Sequence, residues 1–446
     1  MSFTSTFFLT GLLPGLIALF YIFRKRVAVR CMLLFMANLL LYLVGGGVRA
    51  LLLLLVIGVL TWFFCRICVK YHSRILLLVS CAILLVPLFV FKYTDIASGL
   101  FMTVGISFFS FEAVSCLCDV YRGEAEDIPS LAEILTYLSF FPTVVSGPIV
   151  RIKKFREGMG KTLGLPDFQE GAVLFVRGMG KKVLLADKLA PLANYYFDGV
   201  AAGSQFSLPG LWIGSFAYTL QLYFDFSGYS DMAIGIGRAL GYHIPLNFNE
   251  PYRAESVQDF WRRWHISLST WFRDYVYIPL GGSRCSAVRQ VRNLLVVWML
   301  TGIWHGGDLT FLIWGIGYFL LLIMEKYVPQ MCRMSGKWYG HLYVLFFVNL
   351  LWVPFRAQNY DAFVRYLKGM FGISFGGVML EQKGIRFLPF LIFCTLLCTP
   401  WRKAVEKYRE LWWFKVMRGM LMGAITYLAV CAVINSSYAP YIYGNF

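Results

Sequence analysis

The chain has 446 residues, of which 59% are hydrophobic and only 15% are charged. A soluble protein carries about 25% charged residues, so this composition excludes an ordinary soluble enzyme and indicates a single polytopic membrane domain over residues 1–446. The net charge of +17 comes from 41 Lys and Arg residues against 24 Asp and Glu residues. Basic loops hold the cytoplasmic face against anionic lipid, so we expect membrane lipid, and no nucleic acid, as their partner.

Apolar runs of membrane-spanning length recur from one end of the chain to the other. The candidate spans lie near residues 7–23, 31–46, 49–69, 75–91, 170–187, 208–226, 291–306, 310–326, 340–355, 385–400 and 413–434. The loops after the first and third spans are rich in Lys and Arg, whereas those after the second and fourth hold one basic residue each. The positive-inside rule therefore predicts that the N-terminus lies outside.

Two further apolar segments, near residues 98–118 and 131–150, interrupt this alternation. If both crossed the membrane, the four basic residues of segment 151–156 would lie outside, against the rule. One of the two is therefore expected to be re-entrant, and the Gly and Pro residues of segment 142–148 suit a break there. Non-helical backbone at membrane depth survives only inside protein or beside a watery cavity, so a central cavity is predicted.

The stretch 250–282 is too charged to span a membrane, yet it is rich in aromatic residues. Trp261, His265, Leu268 and Phe272 follow one another at i, i+4, i+7 and i+11, which is one face of a helix. The sequence therefore predicts a continuous amphipathic helix here, interfacial or partly buried.

Two histidines are candidates for chemistry. His305 lies between apolar runs, next to Trp304 and among glycines that let a substrate approach closely. In a dry cavity it can remove a proton from a hydroxyl group as a general base, or it can be a core histidine bonded to a backbone carbonyl. His265 is either a second cavity histidine or an interfacial histidine among tryptophans, and the sequence leaves these alternatives open.

Carboxylates at membrane depth form a second group of candidates. Asp225 and Asp231 lie in the run QLYFDFSGYSD at 221–231, and Glu112 lies in a similar apolar run. Buried carboxylates need partners, so the two aspartates either orient the histidines, pair with Arg262 or Arg263, or clamp helices together without a chemical role.

The 11 cysteines show no zinc-ligand spacing with histidine, so we expect neither a metal site nor a disulfide framework. The last eight residues, APYIYGNF at 439–446, are aromatic to the end of the chain. This tail is either docked into the protein or an aromatic anchor at the membrane interface.

Several of these segments together resemble the signature of the membrane-bound O-acyltransferase (MBOAT) family. The segments are GISFFSF at 105–111, DVYRG at 119–123, QLYFDFSGYSD at 221–231, NFNEPY at 247–252, DFWRRWHISLS at 259–269, YIPLGG at 277–282, WHG at 304–306 and the tail. They are most similar to the bacterial branch that acetylates alginate, cellulose or peptidoglycan, with the lipoteichoic-acid D-alanylation protein as a related form.

The resemblance implies an all-α fold in which a ring of about 11 tilted helices, with re-entrant segments, surrounds a central funnel in a bacterial inner membrane. It implies that His305 is the catalytic histidine, that His265 is the second one, and that Tyr443 of the tail carries the acyl group. Tyr441 and Gly444 replace two phenylalanines of the family's tail motif. The further residues expected to line or support the funnel are Asp225, Asp231, Asn247, Asn249, Arg262 and Trp304.

The implied reaction takes an acyl group, acetyl in this branch, from a cytoplasmic thioester such as acetyl-CoA or an acyl-carrier protein. The chain then needs no bound cofactor, and it passes the group to a serine esterase-like partner outside the membrane that acylates a glycan acceptor. A transporter or flippase for a polar glycan or lipid explains the spans and the intramembrane carboxylates equally well. A scaffold for a polysaccharide synthase is a third reading.

Overall fold

The computed structural model describes most of the chain, and all regular secondary structure in that part is helical. The described residues are 3–94, 105–332, 337–373, 376–399, 405–408 and 410–435. No β-strand occurs among them, which confirms the predicted all-α class. The tail at 439–446, including Tyr443, lies outside the described residues, so its role stays a prediction.

The α-helices are numbered here in chain order. The first nine are α1 (Leu13–Ile22), α2 (Val27–Tyr71), α3 (Arg74–Tyr93), α4 (Ile106–Tyr121), α5 (Leu131–Leu138), α6 (Ile152–Gly160), α7 (Leu165–Gly180), α8 (Asp187–Ala201) and α9 (Leu208–Ala239). The others are α10 (Val257–Arg263), α11 (Ile266–Phe272), α12 (Ala287–His305), α13 (Leu309–Tyr327), α14 (Pro329–Cys332), α15 (Trp338–Arg356), α16 (Tyr360–Met370), α17 (Gln382–Leu397) and α18 (Trp412–Asn435). Short π-helical or 3₁₀ segments occupy Phe8–Leu12, Lys181–Ala186, Pro251–Arg253, Arg273–Tyr277 and Glu406–Tyr408.

Within the described part of the chain, five helices are long and apolar enough to cross a membrane. They are α2, α3, α13, α15 and α18. One shorter apolar helical stretch, Phe8–Ile22, falls where the first span is predicted, and the five long helices confirm the multi-pass character. The number of crossings, the ring and the funnel stay predictions.

The predicted spans 31–46 and 49–69 form a single 45-residue helix with a break inside it. At 1.5 Å per residue α2 would measure about 68 Å if straight, roughly twice the thickness of a bilayer core. Gly47 interrupts it with φ 74° and ψ 177°, a conformation that glycine adopts without steric cost. This break falls between the two predicted spans, and the two separate crossings stay a prediction.

The predicted interruption of segment 131–150 is also present. Helix α5 has eight residues, about 12 Å, after which the chain leaves helical geometry. The side chain of Asn38, which is fully buried in α2, holds this turn: its Nδ2 donates to the carbonyl of Thr136 at 3.0 Å, and its Oδ1 accepts from the backbone N–H of Phe141 at 3.1 Å. A buried amide thus replaces the helical hydrogen bonds that the turn loses.

The predicted continuous amphipathic helix in 250–282 is wrong. The chain forms two seven-residue helices, α10 and α11, and His265 between them has φ 43°, in the left-handed region. Segment 247–249 draws the chain out of the helix, because the backbone of Asn249 donates to the carbonyl of Arg263 and that of Ile266 donates to the carbonyl of Asn247. Trp261 and His265 therefore do not share a helical face.

The described residues fall into two compact units. The first comprises residues up to 179, residues 229–246 and the end of α18 from residue 429. The second comprises residues 180–228 and 247–428, and it contains both candidate histidines. The prediction of a single domain over the whole chain stays a prediction.

Candidate active site

His305 is the last residue of α12, and its side chain is only 3% exposed. The hairpin formed by α12 and α13 packs closely enough to leave no space for a side chain at two glycines. A Cβ on Gly302 would lie 2.7 Å from the carbonyl oxygen of Phe311, and one on Gly315 would lie 2.5 Å from that of Trp298. Small residues at such crossings let helix backbones approach each other inside a membrane protein. The close packing of this hairpin therefore fixes the position of His305 at the end of α12.

Aromatic rings surround the His305 imidazole. Measured between ring centroids, Trp304 lies at 4.5 Å, Phe355 at 4.8 Å, Trp314 at 4.9 Å and Phe311 at 6.2 Å. The rings of Phe355 and Trp314 meet the imidazole edge to face. Such a shell excludes water, and a histidine in a water-excluded site is suited to general-base chemistry.

His265 is held by the side chain of Asn247. The Oδ1 atom of Asn247 accepts from the backbone N–H of Ser267 at 3.2 Å and from its hydroxyl at 2.9 Å. A backbone N–H can only donate, so this atom of the amide is the oxygen. Nδ1 of His265, 3.2 Å from the same oxygen, must therefore carry the hydrogen, which leaves Nε2 as the basic nitrogen of the neutral ring.

The two histidines belong to one aromatic cluster in the second unit. The His265 ring contacts Phe226 at 4.7 Å and Trp304 at 6.4 Å, and Trp304 also flanks His305. Burial lowers the pKa of His265 to about 3, so its ring is neutral near pH 7. The structure thus brings together four of the predicted residues: His265, His305, Trp304 and Asn247.

Asp225 has a partner that the sequence analysis did not predict. Its carboxylate lies 2.8 Å from Nζ of Lys182, and the same ammonium group lies 2.7 Å from Asp187. The Lys182 and Asp225 side chains are only 3% and 2% exposed. A buried carboxylate at this depth is stable because the lysine neutralises it.

Asp231 lies in the first unit, where Arg177 donates to both of its carboxylate oxygens at 2.9 Å. Arg263 instead pairs with Asp259 at 2.8 Å. The predicted pairing of the two aspartates with Arg262 or Arg263 is therefore wrong. The basic partners lie in two consecutive helical segments, Arg177 in α7 and Lys182 in the π-helical segment Lys181–Ala186.

Comparison with known proteins shows which protein family the chain resembles. The model of the membrane-bound O-acyltransferase family matches residues 39–356, which is more than half of the chain.

The chain belongs to this family.

Individual relatives agree with the match. A protein named "Probable alginate O-acetylase AlgI" in Azotobacter vinelandii is 40% identical over 308 residues, covering 68% of this chain and 60% of that protein. The protein of the same name in Pseudomonas putida is 33% identical over 501 aligned positions that span 100% of both chains. A peptidoglycan O-acetyltransferase of Helicobacter pylori is 32% identical over 426 positions, 80% of this chain and 79% of the relative.

The matched region of this MBOAT chain contains all of the predicted site residues except Tyr443. Not all of them lie in the histidine cluster. The side chain of Asn249 is exposed, and Arg262 lines a separate polar cavity of about 350 Å³ together with Glu255, Asp259 and Glu325. The roles of Asn249 and Arg262 in the funnel therefore stay predictions.

Lys182 is the residue that the sequence analysis missed. Two consecutive lysines, Lys181 and Lys182, occur inside the predicted span 170–187. A charged side chain at membrane depth is energetically unfavourable without a partner, and this applies to the two lysines as much as to Asp225. Pairing each intramembrane cation with an intramembrane carboxylate would have proposed the Lys182–Asp225 contact from sequence.

Proposed function

We propose that this chain is an O-acetyltransferase of a bacterial cytoplasmic membrane. In this proposal it takes an acetyl group from a cytoplasmic thioester and delivers it outside for O-acetylation of a cell-envelope polysaccharide. The observation that carries the proposal is His305, a buried imidazole in an aromatic shell within the region that matches the MBOAT family. The names of the relatives, which specify alginate and peptidoglycan, support an acetyl group and a glycan acceptor.

In the proposed first step, His305 removes the phenolic proton of Tyr443 while the phenolate oxygen attacks the thioester carbonyl. A phenol with a pKa near 10 needs such a base at neutral pH. The C–S bond breaks, the imidazolium returns the proton to the leaving thiolate, and the acetyl group remains on the tyrosine as an ester. His265, neutral and oriented by Asn247, supports the funnel at this stage.

In the proposed second step, a serine hydroxyl of an extracytoplasmic esterase-like partner attacks the tyrosyl ester. The phenol takes up the serine proton and is regenerated, and the acetyl group passes to the partner and from there to the glycan. An aryl ester is a more activated donor than an alkyl ester, so the transfer from the tyrosine to the serine runs downhill.

A double-label experiment in sealed vesicles tests the proposal against a transporter. Everted vesicles containing the full chain, with its partner and acceptor glycan in the lumen, are given acetyl-labelled acetyl-CoA or an acyl-carrier thioester outside. We expect acetyl label to enter the luminal glycan fraction, while a labelled glycan supplied outside stays outside. Entry of the intact glycan without transfer of acetyl label would instead support a flippase.

The same vesicles test the tail. A chain that ends at Tyr438 lacks Tyr443, and we expect it to lose transfer of the label to the lumen while it remains in the membrane in normal amount. Undiminished luminal acetylation by the shortened chain would remove Tyr443 from the mechanism and leave direct transfer at His305.

A further inference from the structure

Five of the 11 cysteines lie together where α2, α3 and α4 meet, in the first unit. They are Cys65, Cys68, Cys81, Cys116 and Cys118, and all five are free thiols. Electrostatic interactions connect members of this cluster across the three helices. Within the described part of the chain, no set of three or more His, Cys, Asp or Glu side chains is arranged to hold a metal ion. The chemistry open to the cluster is therefore that of thiol pairs.

Two pairs of thiols within the cluster are in direct contact. Sγ of Cys81 lies 3.9 Å from Sγ of Cys118, a contact that joins α3 to α4. Cys65 and Cys116 form a second hydrogen-bonded pair, which joins α2 to α4. The two sulfur atoms of the first pair have to approach each other by only about 2 Å to form a covalent bond, a movement that side-chain rotation can supply.

Exposure separates these two pairs. The side chains of Cys65 and Cys116 are 0% exposed. Cys118 is 8% exposed, and Cys81 beside it is half-buried, so the pair formed by these two presents a sulfur atom at the protein surface. The oxidation of a thiol depends on its exposure, and a neighbouring thiol makes it reversible by forming a disulfide.

The exposed pair lies near the basic turn between α2 and α3. The hydroxyl group of Tyr121, three residues after Cys118, donates to the carbonyl of His72 in this turn at 3.3 Å. Cys81 follows Arg74, the first residue of α3, by seven residues, or about 10 Å along the helix. The positive-inside rule predicts that this turn is cytoplasmic. Cytoplasmic thiols are kept reduced, so a disulfide forms there only when an oxidant arrives.

We propose that Cys81 and Cys118 are a modification site for peroxides, which convert the two thiols into a reversible disulfide between α3 and α4. The oxidant is hydrogen peroxide from the cytoplasmic side or a lipid hydroperoxide from the bilayer, since both supply the same O–O bond. The pair of Cys65 and Cys116 is closed to both and stays reduced. The site is independent of His305 and does not rest on the proposed acetyl transfer.

The reaction proceeds in two balanced steps. One thiol attacks a peroxide oxygen, so that an S–O bond forms and the O–O bond breaks. The leaving oxygen takes the thiol proton and departs as water or an alcohol, and a sulfenic acid remains. The second thiol attacks this sulfur, the S–S bond forms, and the hydroxyl group leaves with the second thiol proton as water. The two sulfur atoms together give two electrons to the peroxide.

Mass spectrometry of the full-length chain in everted vesicles tests the site. The vesicles are treated with hydrogen peroxide or with linoleic acid hydroperoxide in the bilayer, quenched with N-ethylmaleimide and digested without reductant. We expect a peptide linked through Cys81 and Cys118 that dithiothreitol separates, while Cys65 and Cys116 remain free thiols. The faster of the two oxidants shows from which side the site is reached. Equal oxidation of both pairs, or no linked peptide with either peroxide, would contradict the proposal.

Single variants test the two steps. Cys81→Ser and Cys118→Ser should each lose the linked peptide, and the variant that keeps the attacking thiol should accumulate a sulfenic acid, which dimedone traps. Cys285→Ser is the matched control, because Cys285 is also half-buried but lies in the second unit, and it should keep the linkage. Absence of a trapped sulfenic acid in both single variants would contradict the peroxide step.

Thermal unfolding separates a disulfide that fits the native helices from one that distorts them. The link closes a loop of the chain between residues 81 and 118, so peroxide treatment should raise the midpoint of wild type by about 5 °C. Peroxide-treated Cys81→Ser should show no rise. A wild-type midpoint that does not rise, or an equal rise in the variant, would overturn the assignment.

Discussion

At the scale of single residues, the account depends on how His265 is oriented. The amide oxygen of Asn247 accepts from Ser267 as well as from the His265 ring, so we expect Asn247 to act on the proposed transfer by orienting the histidine. Asn247 is fully buried, and replacing it with a smaller residue leaves both of its partners without their acceptor.

We therefore predict that Asn247→Ala lowers acetyl transfer about tenfold, in the way that removing an orienting neighbour weakens other imidazole sites. In a His265→Ala background the same substitution should lower the rate of acetyl transfer little further, because the histidine that Asn247 orients is already absent. A double-mutant cycle on the initial rate measures this, with Asn435→Ala, on the exposed end of α18, as the control. Full additivity of the two substitutions would argue against an orienting role.

A second residue-scale prediction concerns the buried pair of Lys182 and Asp225. Lys182→Met leaves the Asp225 carboxylate buried without its cation, and we expect a loss of about 3–5 kcal/mol in the free energy of unfolding. Combining it with Asp225→Asn should restore part of that loss, because the uncompensated charge is removed. Midpoints of unfolding in detergent, followed by tryptophan fluorescence, measure both.

The control for this pair is Lys154→Met, since Lys154 is 58% exposed and pairs with Glu157 at the surface. Such pairs contribute little, so its stability should remain within about 0.5 kcal/mol of the parent. If Lys182→Met changed the free energy of unfolding as little as the control does, the buried ion pair would not stabilise the fold.

At the scale of elements, the sequence specifies helices well and their interruptions less well. Span positions such as 75–91 and 310–326 follow from hydropathy and coincide with α3 and α13. The break at His265 was not predictable from periodicity, since the 3.6-residue pattern continues across it. What breaks the helix is pairing with segment 247–249, a contact between residues distant in sequence.

The α12–α13 hairpin gives the prediction at this scale. Gly315→Ala would place a Cβ 2.5 Å from the carbonyl oxygen of Trp298, so the helices must separate and His305 must move. We expect loss of both stability and acetyl transfer. In α18 a Cβ on Gly423 meets nothing within 4 Å, so Gly423→Ala should keep or slightly raise stability. Thermal unfolding and the rate of acetyl transfer measure both variants. If Gly315→Ala and Gly423→Ala gave equal values, the close packing of the hairpin would be contradicted.

At the scale of the whole molecule, family membership and the multi-pass character could both be predicted from sequence. Each motif is an unbroken run of residues, so it can be recognised from the sequence alone. The clustering of His265 with His305 could not be predicted from the sequence. The two residues are 40 positions apart, and only packing around Trp304 brings them together. The partner of Asp225 was missed for a different reason: lysines within an apolar run were not given the weight given to carboxylates.

The most direct measurement is the transfer of acetyl label by a His305→Ala variant. Wild-type and variant chains are brought to equal amounts in sealed vesicles, and label reaching the luminal acceptor is counted. His243→Ala, an exposed histidine outside the cluster, serves as the control. We predict that the His305 variant loses transfer by about 100-fold or more, the contribution expected of a general base, while the control matches wild type. A folded His305→Ala chain that transfers acetyl label at the wild-type rate would contradict the account.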